Sequence, residues 1–75
     1  MFKIKDTSTL REMGFKKDDN GDYVVRKTID GTVRTIFTVY IGSNYLRFPR
    51  TAYIAQEALH CIHEWTKKNY IEWED

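Results

Sequence analysis

The chain is 75 residues long, 41% apolar and 15% aromatic, with a formal net charge of +1 and one cysteine. That length suits a single domain burying only about 60% of its unfolded surface, so marginal stability or self-association is expected. The composition excludes a disordered chain, lone Cys61 excludes an internal disulfide, and no apolar run approaches the ~20 residues of a membrane-spanning helix.

The charged start MFKIKD lacks the character of a signal peptide, and Cys61 reads as a small core residue, so a reducing, cytoplasmic setting is expected. Charge is unevenly distributed. Residues 1–22 balance, residues 23–50 are basic through Arg26, Lys27, Arg34, Arg47 and Arg50, and residues 51–75 are acidic through Glu57, Glu64, Glu72, Glu74 and Asp75.

Phe2 and Ile4 alternate with Lys3 and Lys5, which fits a short edge strand or an ordered arm. Asp6 or Thr7 can cap a short helix through Met13, with Thr9 and Glu12 as an alternative capping box and Leu10 and Met13 as its apolar face. Gly14 is placed to end it in the left-handed conformation, and Phe15 re-enters the core.

Strands follow. Asn20-Gly21 suits a type I′ turn between Phe15–Lys17 and Tyr23–Ile29, and Asp30-Gly31 suits another leading into Thr32–Ile41, the strongest strand signal in the chain. Gly42-Ser43-Asn44 turns the chain into Tyr45–Phe48. A two-residue loop at Asp30-Gly31 sets Val24 opposite Phe37 and Val25 opposite Ile36. One at Ser43-Asn44 sets Ile41 opposite Leu46 and Val39 opposite Phe48. One face then collects Phe15, Val24, Val33, Phe37, Val39, Ile41, Leu46 and Phe48. The other collects Tyr23, Val25, Lys27, Arg34, Ile36, Thr38, Tyr40, Tyr45 and Arg47.

Thr51–Lys68 has clear helical periodicity. Ile54, Ala58, Cys61 and Trp65, flanked by Ala55, Leu59 and Ile62, form a stripe wide enough to roof the apolar face. Pro49 places the helix start near Arg50–Ala52 with Thr51 as N-cap, and Asn69 is the stop. The tail from Tyr70 to Asp75 mixes rings with acids. Tyr70, Ile71 or Trp73 is expected to fold back on the sheet edge, with mobile last residues.

Chemistry-bearing motifs are sparse. Glu57, His60 and Glu64 share a helix face at metal-ligand spacing, with His63 nearby, yet no second ligand cluster exists and a solvated polar face is the simpler reading. The order of His60, His63 and Glu64 is not that of a zinc protease, and His60 beside Cys61 is not a dyad, because adjacent helix positions point about 100° apart. Asp18–Asp22 lacks calcium-loop spacing, and Gly42-Ser43-Asn44 has no phosphate-loop lysine. No cofactor, metal or catalytic residue is expected.

The mixed sheet face is the candidate site. Tyr23, Tyr40 and Tyr45 beside Arg34 and Arg47 combine rings and cations. That pairing suits protein interfaces, including self-association, and single-stranded nucleic acid; it also occurs as plain cross-strand pairing. The string characteristic of RNA-recognition sheets is absent.

Leu10, Gly14 and Phe15, an acidic turn, the early Tyr23, a hairpin, and a helix ending in Lys68, Ile71 and Glu72 together resemble small proteins encoded by bacteriophages and prophages of Gram-positive bacteria. Those proteins are mostly of unassigned function, so the resemblance implies a context and carries over no functional residue. The expected architecture is α+β: a short N-terminal helix, a three- to four-stranded antiparallel meander, and one long C-terminal helix on one sheet face. The expected function is non-enzymatic binding or regulation through protein contact. The alternatives are nucleic-acid binding through the Tyr/Arg face and inhibition of a host enzyme or defence complex.

Overall fold

A computed structural model describes residues 1–48 and 55–75. Its elements are β1 (Phe2–Ile4), a 3-10 turn (Thr7–Thr9), β2 (Lys16–Lys17), β3 (Tyr23–Ile29), β4 (Thr32–Val39), α1 (Ala55–Lys67) and β5 (Ile71–Trp73). The expected helix start at Thr51 and the stripe position Ile54 lie outside the described residues. The architecture is α+β, with antiparallel pairing throughout and one α-helix among the described residues.

Asp30 and Gly31 both have positive φ, 52° and 79°, and Ile29 pairs with Thr32, so this is the expected two-residue type I′ loop. The ladder keeps the expected register through Arg26–Thr35, then shifts, and Val25 pairs with Phe37. Ile36 is therefore the extra residue of a β-bulge. The expected Val24–Phe37 and Val25–Ile36 pairs do not form; Val24 faces Thr38 and Tyr23 faces Val39. The cause is packing. Ile36 and Phe37 are adjacent yet almost fully buried, and strict alternation would have sent one of them into solvent.

The first hairpin also differs from expectation. Asp18 donates its N–H to the Asp22 carbonyl at 2.8 Å, and only Gly21 in the intervening Asp19–Gly21 loop has positive φ, 87°. This is the three-residue loop ending in a glycine bulge rather than type I′. The Asp18 carboxylate holds it by accepting from the N–H groups of Asn20 and Asp22.

No short N-terminal helix forms. Asp6 caps a single 3-10 turn, its carboxylate accepting from the Ser8 N–H at 2.9 Å, while Thr9 Oγ1 donates to the Asp6 carbonyl. Hydroxyl side chains that bond the local backbone compete with helix, and the few residues before Gly14 cannot offset the cost of nucleation. The stop itself is as expected: Phe15 donates to the Leu10 carbonyl and Gly14, at φ 100°, to that of Arg11. This is the Schellman pattern, and Asn69 repeats it after α1, where Tyr70 donates to the Trp65 carbonyl and Asn69 to that of Thr66.

The meander has three strands, in the order β2-β3-β4, and β1 pairs with β5 in a separate two-stranded sheet. The expected fourth strand, Tyr45–Phe48, is reduced to two isolated bridges, Lys3–Tyr45 on one side and Thr38–Arg47 on the other. These two bridges join the two sheets. The Thr38–Arg47 pairing also places Leu46 across from Val39 rather than Ile41, and Ile41 lies in the turn, 71% exposed. The tail folds back as expected, onto β1 rather than the meander edge, since β5 pairs residue by residue with β1.

The register gives one continuous apolar side. Phe2, Ile4, Leu46, Phe37, Val39, Val25, Phe15 and Ile71 share it, and α1 brings Ala58, Cys61 and Trp65 down on it. Trp65 lies between Phe15 and Phe37, ring centroids 5.5 and 5.2 Å away. The aromatic contacts continue through Phe37–Phe48, Phe48–Phe2 and Phe2–Trp73. Leu59, expected in the helix stripe, is 67% exposed, and Val33, expected in the core, is 64% exposed near the hairpin tip.

Candidate binding surface on the open sheet face

The bulge at Ile36 decides which predicted residues meet. Thr38 pairs with Arg47, and Lys3 pairs with both Tyr45 and Glu72. Cross-strand partners share a side, so Arg47, Tyr45, Lys3 and Glu72 lie on the face away from α1. Tyr40, two residues from Thr38, joins them. The Arg47 guanidinium carbon sits 4.9 Å from the Tyr40 ring centroid, a cation–π contact that pre-orders both side chains at the surface.

Tyr23 and Arg34 are placed differently. Tyr23 pairs with Val39 on the helix side, packs partly against the core, and has the Lys17 ammonium 5.8 Å from its ring. Arg34 pairs with Lys27, also on the helix side. Of the five predicted residues, Tyr40, Tyr45 and Arg47 share the open face, while Tyr23 and Arg34 lie on the helix side and Tyr23 meets Tyr40 only at the cleft that closes the end of the meander.

The tail supplies residues that the sequence reading did not put in the site. Tyr45 donates its hydroxyl to the Glu74 carboxylate, and Lys3 forms ion pairs with Glu72 and Glu74 at 3.9 and 3.7 Å. Accepting the Tyr45 hydrogen bond, and sitting beside it as a negative charge, Glu74 pushes the phenol pKa above its ordinary value; partial burial adds to this and Lys3 opposes it. Tyr45 is half-buried, while Tyr40, 48% exposed, and Arg47 face solvent.

Lys16 pairs with Val24, which pairs with Thr38, so Lys16 is on this face too, as is Arg26 two residues from Val24. The open face is therefore basic over β2 and β3, aromatic in the middle, and acidic over β5. That mixed character separates it from the uniformly cationic grooves that track a nucleic-acid backbone.

On the helix side, the described residues bring one cation to a ring, Lys17 to Tyr23. His60, Cys61 and Glu64 line a groove of about 300 Å³ with Met13, Val25, Lys27 and Trp65. Desolvation pushes the Cys61 thiol pKa up, which disfavours the reactive thiolate. Among the described residues, no group of three His, Cys, Asp or Glu is placed to hold a metal ion. None of the described helices is long and apolar enough to cross a membrane. A larger cleft of about 540 Å³ opens at the end of the meander, between Tyr23, Lys17, the 40–44 turn and Leu10.

No protein-family model, curated protein or solved structure matches this chain.

Proposed function

We propose that the protein is a small non-enzymatic binding or regulatory protein that acts through protein–protein contact on its open sheet face. The observation that carries this reading is the Tyr40–Arg47 stack at 4.9 Å, exposed beside Tyr45. Tyr and Arg are the residues over-represented at binding hot spots, and a pair already stacked loses less side-chain freedom on association.

A photo-crosslinking residue placed at position 40 tests it. The expected result is one dominant protein adduct in cells that make the protein, strongly reduced by Arg47→Ala. A probe at Leu59, on the outer side of α1, should not give that adduct. Equal adducts from both positions, or adducts with nucleic acid alone, overturn the reading.

A further inference from the structure

Building on that reading, we propose that the partner is a second copy of this chain, docked open face to open face about a two-fold axis parallel to the strands. The argument rests on the order of charges across the face. Six backbone segments lie side by side: β2, β3, β4, the 45–47 segment, β1 and β5. At about 4.8 Å per strand they span roughly 24 Å. Lys16 stands at one margin and Glu72 and Glu74 at the other, with Tyr40 and Tyr45 between.

Symmetry then fixes what meets what. A two-fold axis in the plane between the copies, running along the strands and between β4 and the 45–47 segment, exchanges left and right while keeping position along the strands. Lys16 shares a cross-strand row with Val24, Thr38 and Arg47, and two residues' length along the strands lies the row of Tyr45, Lys3 and Glu72. Continuing the first row through the Met1–Glu74 backbone pair brings Glu74 into line with Lys16. In the dimer Lys16 faces Glu74 of the other copy, twice. Tyr40 faces Tyr45 of the other copy, twice, at the centre. Asp22, whose carboxylate accepts the Ile41 N–H at 2.8 Å, lies opposite Lys3. Glu72 falls over the Asp18–Asp22 loop, where Asp18 is turned onto its own loop amides.

The central contacts pair Tyr40 with Tyr45 and Thr38 with Arg47, and at the margins Lys16 meets Glu74 of opposite charge, which is the anatomy of a self-complementary interface. A perpendicular two-fold axis would instead oppose Glu72 and Glu74 to their own copies. With charge pairs at its margins, a dimer that responds to concentration and salt is expected.

Sedimentation across the micromolar to millimolar range at low ionic strength tests this with K16E and E74K. Each variant alone opposes like charges at both margins and should weaken the dimer by about tenfold. An equimolar mixture of the two places Glu at 16 over Lys at 74 and Glu74 over Lys16. It should form a 1:1 heterodimer at least as tight as the parent homodimer. Circular dichroism checks that both variants remain folded. A monomer at every concentration, or a mixture no tighter than its components, overturns the self-association. If the position-40 adduct persists with another protein in that case, the contact-surface reading stands without it. If that adduct is absent as well, both fall.

Discussion

The Tyr45 hydroxyl lies 3.1 and 3.2 Å from the two Glu74 carboxylate oxygens, joining the bridging segment to the last strand across 29 residues of sequence. Tyr70 makes a similar bond to Glu12 at 3.1 Å, tying the end of α1 to the turn before Gly14. Both phenols are held above their ordinary pKa, in each case first by the hydrogen bond to a carboxylate. A raised folded-state pKa contributes stability that is complete below the unfolded value, about 10 for tyrosine, and is lost as pH rises through the folded value. Melting temperature should therefore fall above about pH 10. The fall should be shallower in a Tyr45→Phe/Tyr70→Phe double variant, and parallel profiles would exclude the two bonds as its source.

Trp65 is 5% exposed and contacts both Phe15 and Phe37. Trp65→Ala should cost about 3–5 kcal/mol. A chain of this length has a total stability of roughly 4–11 kcal/mol, so the loss removes about a quarter of it or more and urea titration should find a much lower midpoint. Trp65→Phe should retain a cooperative transition at a lower midpoint. A transition unchanged in Trp65→Ala would show that α1 is not what closes the core.

Gly14 has open space where a Cβ would stand, yet its φ is 100°. Gly14→Ala should thus cost about 1–2 kcal/mol from backbone conformation alone, with no steric clash. Chemical denaturation measures this, and a neutral result would mean that the turn relaxes to negative φ. Asn69→Ala, at φ 66°, should cost less than about 1 kcal/mol beyond its exposed bond to Lys5, because Asn already carries part of that strain.

Cys61 is buried and its thiol pKa raised by desolvation. Reaction with a disulfide reagent at neutral pH should be slower than in denaturant by roughly a thousandfold, the signature of an opening of about 4 kcal/mol. Above the ordinary thiol range, the neutral-thiol contribution to stability is lost as the folded group ionises. Fast labelling of the native protein would place Cys61 in a locally mobile part of α1.

Much of this could be read from single residues. Asp30-Gly31 demanded positive φ at both positions, Gly14 and Asn69 marked helix-type endings, and the Ala58/Cys61/Trp65 spacing marked a buried stripe. The bulge could not. Ile36 and Phe37 are equally suited to a regular strand, and only the three-dimensional demand that both be buried forces the extra residue. That one residue put Tyr23 and Arg34 on the opposite sheet face from Tyr40, Tyr45 and Arg47. The β1–β5 pairing was hidden for another reason: three-residue strands carry no periodicity, and their partnership depends on contacts about 70 residues apart.

That pairing sets a timetable for the protein's birth. Met1 and Glu74 exchange backbone hydrogen bonds, and Ile4 reaches full burial only alongside Ile71. The hairpins are local and can form while the chain is still emerging, but β1 must wait for β5, about 70 residues behind it. Until translation passes Trp73, the sheet has an open seam, and the nascent chain carries Phe2 and Ile4 unpaired.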